Sequence, residues 1–469
     1  MKDNTKGILL IAAGTIMHLF LGCFFLWGNI AVYVTSYLHK HHEDISLDDT
    51  SIIFPISMVA SALFTPIAPF AMKKYPPWLC CIFGASIAIT CVFFSSFTSN
   101  LWLFTFLYGF CFGLGIGPSY MCPIIAGWEY FPNRKGLVNG IIVAGFGSGS
   151  FIFSFIAVAI VNPDNELPSL EVSGGKIFPP DSPIPDRVPL MLRVISLIWA
   201  ALCIISIPFI RSKKKRSIPV QEVESRRTLL INTIDSTDAE SALEAPNNNL
   251  VSEESIHKTR LREAIFSWRA LHICIMMFSS SLYPLYLAAN FKSLGLQEIG
   301  SDHFITIVGA IGAVANGISR VGWATLFDYF GFKKVYVSIV VLLIINAFTL
   351  TLISSNKVLY LIWVAVSFTC LGGHFAIFAP MTAKVFGGKI GSTAYTFLFF
   401  AFAISSVITF VLTKESGEGK ISRDLLFYIF GGSCVVALLF ALFFKETLFV
   451  SSKAYRKTKK DVSNYDMLE

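Results

Sequence analysis

FITIVGAIGAVANGISRVGWATLF, residues 304–327, is an apolar run broken by a single charge, Arg320. About 20 such residues in an α-helix cross the roughly 30 Å hydrocarbon layer of a bilayer, so the run reads as a membrane-spanning helix. A guanidinium does not give up its proton, and Arg320 brings a permanent charge to membrane depth. That charge is tolerated where it meets an anion, a buried partner or a water-filled path. The stretch therefore points to a polytopic membrane protein with an anion-binding centre.

The rest of the chain repeats the pattern. It is 54% hydrophobic and only 14% charged, with 44 phenylalanines and a mean hydropathy of +0.65, more apolar surface than a soluble domain can bury. Spans are expected near 7–37, 50–72, 78–97, 101–126, 136–161, 188–210, 269–292, 302–327, 334–353, 358–382, 391–413 and 425–446. Lys2 and Lys6 flank the first run as they would a secretory signal. It is much longer than a signal's apolar core and lacks a clear small-residue cleavage site, so it reads as the first membrane helix. The ten cysteines lie singly within apolar runs, apart from Cys80-Cys81, and read as packing residues; no metal or cofactor is expected. The net charge of +7 resides at helix ends and in tails, without an aromatic-interleaved face, which argues against nucleic acid.

Basic clusters mark alternate connections: Lys73-Lys74, Arg134-Lys135, Arg211 with Lys213 to Arg216, Lys333-Lys334, and Lys384 with Lys389. The positive-inside rule makes that side, and both termini, cytosolic. Lys414, Lys420 and Arg423 run against the count. A Pro-rich segment, 162–187, is expected to cover the outer mouth, and a polar stretch, 211–263, reads as a flexible cytosolic linker. The expected layout is a six-helix bundle over 1–210, that linker, a second six-helix bundle over 264–450, and a cytosolic tail over 451–469. Gly113 to Pro118 followed by Phe131-Pro132 and Gly136 is echoed by Gly372-Gly373, Pro380 and Phe386-Gly387-Gly388.

Four stretches carry a family resemblance. They are Trp27-Gly28-Asn29 with Tyr33 and Ser36-Tyr37; Glu129-Tyr-Phe-Pro-Asn-Arg-Lys-Gly-Leu137 with Gly140; Asn316-Gly-Ile-Ser-Arg320 with Gly322; and Gly372-Gly-His-Phe375 with Pro380 and Phe386-Gly387. Together they resemble the major facilitator superfamily, in particular its oxalate/formate antiporter-like and monocarboxylate transporter branch. The resemblance implies an all-α fold of about 12 transmembrane helices in two pseudo-symmetric bundles, and a secondary carrier rather than an enzyme. The superfamily's signature loop is partly kept in Asp328-Tyr-Phe-Gly331-Phe-Lys333-Lys334, where the acid would latch the cytosolic side by pairing with cations such as Arg134. In the first half Met72 stands where that acid would be, so the latch is expected to be lopsided.

Helical rise from Asp328 puts Arg320 about 12 Å and Asn316 about 18 Å into the membrane; His374 and His18, counted from Lys384 and Lys6, reach about 15 to 18 Å. On this count Arg320 grips a carboxylate, Asn316, Tyr120 and Tyr283 complete the hydrogen bonding, and phenylalanines supply an apolar wall. The competing reading has Arg320 bonded to helix-end carbonyls or snorkelling to the cytosol. Related monocarboxylate transporters place an aspartate one turn before this arginine and a lysine in the first helix, where Asn316 and Asn29 stand here. Oxalate carriers place a lysine in the eleventh helix, where 391–413 has no cation. The resemblance thus implies one central cation and a monoanion. His374, and after it His18, is expected to carry a coupled proton; the alternative is a histidine donating to a carbonyl in a packed bundle.

Several motifs carry less. Gly145-Phe-Gly-Ser-Gly149 lies in an apolar helix without a preceding strand, and close helix packing explains it better than a phosphate loop. His39 to Asp44 has acyltransferase-like spacing in a short outer loop, Arg193 lies near an interface, and Tyr465 to Leu468 has the form of a sorting signal. The resulting expectation is a carrier of a small organic monocarboxylate of the lactate, pyruvate or formate class, working by alternating access as symporter or antiporter, with a proton as candidate co-substrate. The alternatives are a carrier of a larger organic anion or amino acid, and a non-transporting nutrient sensor of the same fold. The plasma membrane is expected ahead of an organelle membrane.

Overall fold

The computed structural model describes residues 3–213, 261–417 and 419–447. Most of the segment read as a linker, and all of the tail with its Tyr465 motif, lie outside them. Twelve helices among the described residues are long and apolar enough to cross a membrane. They are α1 (Asn4–His41), α2 (Leu47–Ala71), α3 (Pro77–Ser95), α4 (Leu101–Tyr130), α5 (Lys135–Val161), α6 (Ile184–Phe209), α7 (Trp268–Lys292), α8 (Phe304–Phe330), α9 (Phe332–Ile353), α10 (Lys357–Phe386), α11 (Ile390–Gly417) and α12 (Arg423–Phe443). The protein is a multi-pass integral membrane protein whose backbone polar groups are satisfied within helices, as hydrocarbon demands.

Not all of the helices are regular throughout. A tighter 3₁₀ turn, Gly22–Leu26, interrupts α1, and a π-helical turn, Thr105–Cys111, opens α4. Gly22 permits the first: a Cβ there would run into the Phe146 carbonyl oxygen, so only glycine lets α1 rest on α5 at this level. The glycine run of α5 does the same work on two sides. Gly145 and Gly149 face the Thr15 and Leu19 carbonyls of α1, while Gly147 faces Gly317 on α8. Helix packing thus accounts for Gly145 to Gly149.

Helices α5 and α8 run closely against each other, α2 packs on α11, and α8 also packs on α10. The outer limb of α1 meets α7, where Gly28 lies against the Ala288 carbonyl. The connection between α5 and α6 carries an antiparallel hairpin, β1 (Leu170–Val172) paired with β2 (Gly175–Ile177). It lies on the outer limb of α1: Phe178 stacks on Tyr33 at 5.6 Å, and its N–H donates to Ser36 Oγ at 3.0 Å. This hairpin face and the face bearing the basic clusters are the two ends of the bundle.

Candidate functional site

Arg320 of α8 is fully buried. One turn earlier, Asn316 presents its Oδ1 as acceptor to Arg320 Nε at 3.0 Å and Nη2 at 2.8 Å, the contact expected of residues four apart on a helix. The guanidinium lies between two aromatic faces, 5.3 Å from the Phe146 ring centroid on α5 and 4.8 Å from that of Phe375 on α10. Gly147 and Gly372 make room for it, since a Cβ on either would approach Arg320 within 2.9 and 3.3 Å. The side chain does not snorkel, and its two hydrogen bonds go to the Asn316 side chain rather than to helix-end carbonyls.

The charge is only partly compensated. Among the described residues no carboxylate pairs with it. Desolvating such an ion costs several kcal/mol, whereas cation–π contacts return about 0.5–2 kcal/mol each and a charged hydrogen bond about 1.5–3. Nη1 has no hydrogen-bond partner. Buried donors left without acceptors are rare in folded proteins, and this one sits where two bundles meet.

Three more buried polar atoms without partners surround it: the Tyr120 and Tyr395 hydroxyls and His18 Nε2. The two phenols neighbour each other across α4 and α11, and both lie within electrostatic reach of Arg320. His18 of α1 is also within reach of Arg320, and its ring lies 5.3 Å from that of Tyr120. Its Nδ1 is 2.8 Å from the Gly14 carbonyl, which can only accept, so Nδ1 carries the hydrogen and Nε2 keeps a lone pair. A cavity of about 10 Å³, the size of one water molecule, adjoins the cluster. Phe24, Phe146, Phe375 and Phe399 wall it, with Tyr120, Ser61 and Thr65 as its polar rim.

Sequence-predicted residues separate into two groups. Arg320, Asn316, Tyr120 and His18 come together. Tyr283 does not join them: its hydroxyl donates to Asn346 Oδ1 and its ring packs on Phe427 and Phe430 of α12. His374 has both ring nitrogens engaged, Nδ1 with the Cys370 carbonyl at 2.8 Å and Nε2 with Ser280 Oγ at 2.7 Å. Asn29 is half-buried on the outer limb of α1 and makes no bond to Arg320. The depth count placed His374 and His18 near the level of Arg320 and Asn316 but could not say which way each faces. Tyr395 carried no signal in the sequence, since a neutral phenol among the apolar residues of α11 has neither charge nor motif to mark it.

At the basic face the two bundles are joined through backbone. Asp328, ending α8, accepts the Leu137 N–H at 2.9 Å and lies against Gly136, where a Cβ would collide with the carboxylate. Its carboxylate therefore caps the N-terminus of α5, whose first N–H groups have no partner within the helix. Arg134 contributes through its charge from one residue before the helix. Asn139, also missed, donates from Nδ2 to the Phe375 and Ala376 carbonyls at 3.2 and 2.8 Å. Gly331, at φ +80°, turns the chain into α9, where the Lys333 N–H donates to Glu446 Oε1 at 2.6 Å and Lys384 pairs with Oε2 at 3.2 Å. Lys334 is exposed. Elsewhere, Arg193 donates to Ser96 Oγ at 3.0 Å and stacks on Phe97, and His39 bonds the Ile45 carbonyl.

No protein-family profile matches the chain. It is 24% identical to the apicoplast pyruvate carrier 1 of Toxoplasma gondii, over 89% of this chain and 85% of that protein. To the monocarboxylate transporter 9 of Gallus gallus it is 22% identical, covering 80% of each, and to the oxalate:formate antiporter of Oxalobacter formigenes 23%, covering 86% and 83%. Among solved structures it is similar to the proton:xylose symporter XylE, with a TM-score of 0.64 at 11% identity over 95% of this chain and 98% of that one. The nucleoside transporter NupG gives 0.56 at 12% identity, over 93% and 100%. The likeness to these structures shows the fold, the twelve-helix arrangement of the major facilitator superfamily.

Proposed function

We propose that this transporter of the major facilitator type carries a small organic monocarboxylate, of the lactate, pyruvate or formate class, by alternating access. The observation that carries the reading is the unpartnered Nη1 of buried Arg320, with the Tyr120 and Tyr395 side chains within its electrostatic reach at the contact of the two bundles. A carboxylate there would take a charge-assisted bond from the guanidinium and further bonds from the phenols. One formal charge suits a monoanion. The relatives named for pyruvate, monocarboxylates and oxalate/formate support the substrate class.

An interior-negative potential opposes anion entry by about 2.3 kcal/mol per 100 mV, and a co-transported proton would offset it. We assign that proton to His18 rather than His374. His18 Nε2 has no hydrogen-bond partner, and His18 lies against the Tyr120 ring within electrostatic reach of Arg320, whereas both nitrogens of His374 are held by neighbours. Without an anion, a second charge beside Arg320 is disfavoured; a bound carboxylate removes that repulsion, so proton and substrate would load together. The same reading puts the basic face and both termini in the cytosol and the protein in the plasma membrane. Epitope tagging with selective permeabilisation tests both, the Toxoplasma relative being named for an organelle.

Counterflow of labelled pyruvate, lactate, formate and oxalate in proteoliposomes tests the function, repeated with Arg320→Lys and Arg320→Gln. Exchange of monocarboxylates that both substitutions abolish is expected. Undiminished exchange in both variants would remove the anion site, and binding without exchange would make the chain a sensor.

A further inference from the structure

We propose that a recess on the basic face of the first bundle holds the phosphate headgroup of an anionic glycerophospholipid. The recess, about 420 Å³, lies between the α2–α3 connection and the end of α6. Lys73, Lys74 and Arg211 bring three cations to it, Ser212 a hydroxyl, and Tyr75 and Trp78 aromatic walls. Among the described residues no carboxylate lines it, and none of the three cations has an acidic partner. Lys73 and Lys74 each lie 5.3 Å from an aromatic centroid, Phe70 and Tyr75, and Arg211 Nε donates to the Pro208 carbonyl.

The matching loop of the second bundle shows what compensation looks like. There Glu446 receives both the Lys333 N–H and the Lys384 ammonium, and Asp328 stands where the first loop has Met72. The first loop keeps the cations without the acids, and three like charges around one recess favour an anion.

Its surroundings identify the source of that anion. Directly above the recess, α3 and α6 turn large apolar side chains outward: Phe83 is 58% exposed, Ile204 74% and Ile205 60%. In a membrane-spanning bundle such a wall faces acyl chains, so the recess lies at its foot, at headgroup level. Tyr and Trp favour that level, and clustered Lys and Arg there bind anionic lipid. A soluble phosphate ester would use the cations but not the wall.

Native mass spectrometry of the full chain, released from nanodiscs of equimolar phosphatidylglycerol and phosphatidylcholine with identical acyl chains, reads the proposal. Phosphatidylglycerol is expected to be retained preferentially, falling about fivefold for each of Lys73→Gln, Lys74→Gln and Arg211→Gln. A charge-matched triple variant at the same face, Lys6→Gln with Lys135→Gln and Lys445→Gln, is expected to retain the lipid like the wild type. Equal retention of the two lipids, or equal loss in the control triple variant and in the triple variant Lys73→Gln with Lys74→Gln and Arg211→Gln, would overturn the site. Displacement of the lipid by equimolar glycerol 3-phosphate would overturn the lipid as its occupant.

Discussion

The two bundles share a backbone plan but not a charge plan. At the centre the first bundle presents neutral groups, His18, Tyr120 and the Phe146 ring, while the second supplies the buried cation, Arg320. At the basic face the second supplies the acids, Asp328 and Glu446, while the first presents Lys73, Lys74 and Arg211 around a recess that no carboxylate lines among the described residues. A symmetric arrangement would let each half neutralise itself. The asymmetry instead leaves each charge to be met from outside its own bundle: Asp328 by the backbone of α5 and, as proposed above, Arg320 by substrate and the recess by lipid.

The change expected to matter most removes the central asymmetry without removing the arginine. Asn316→Asp places a carboxylate where Oδ1 already sits 2.8 and 3.0 Å from the guanidinium nitrogens. An internal ion pair then competes with the substrate, and monocarboxylate exchange is expected to fall about 100-fold. Thermal stability should hold or rise, because the buried cation gains a partner. Normal exchange by the Asn316→Asp variant would show that substrate does not answer the Arg320 charge.

The proposed proton carrier sharpens the same comparison, since His18 would put the titrating group in the first bundle and leave the fixed charge in the second. Uptake by the wild type is expected to rise about tenfold as external pH falls from about 8 to about 6, the range histidine spans. His18→Gln should flatten that profile to less than about twofold, and His374→Gln should leave it intact. The reverse result would return the proton to α10.

Smaller still is the effect of one hydroxyl. Tyr395→Phe deletes a buried donor while keeping the ring, and KM for monocarboxylate is expected to rise about fivefold with little change in maximal rate, the size of one neutral hydrogen bond. An unchanged KM would assign Tyr395 to packing against Phe399, whose ring lies 6.0 Å away.

These residues also show how far the sequence could be read. Helix number followed from hydropathy because a bilayer accepts few alternatives, and Arg320 stood out because a charge in hydrocarbon has few explanations. Depth was readable by counting 1.5 Å per residue, which brought Arg320, Asn316, His374 and His18 to similar depth. Facing was not, because a count of rise fixes depth but not rotation about the helix axis, and α7 and α10, continuous through Tyr283 and His374, carry apolar residues on every side. His374 and Tyr283 thus turn into the second bundle while Tyr395 turns to the centre. The motif at Asp328 predicted an acid meeting cations, yet it caps a helix, a role that depends on the start of α5 lying directly against it.

The smallest change tests whether that cap is a latch. Asp328→Asn keeps an acceptor for the Leu137 N–H but removes the charge facing the α5 dipole, worth about 0.3–1 kcal/mol, or roughly a twofold to fivefold population shift. Spin labels at Asn133→Cys and Tyr329→Cys, on either side of the contact, should report a larger fraction of long distances. Met72→Asp should act in the opposite sense. The end of α2 already packs on α11 through Phe70 and Phe397, 6.4 Å apart, and an acid at 72 is expected to cap the start of α11 as Asp328 caps α5. Closure restored in the double variant would mean that either bundle can hold the latch. Failure of Met72→Asp to restore it would tie closure to the α5–α8 contact, whose tight glycine-lined packing has no equal between α2 and α11.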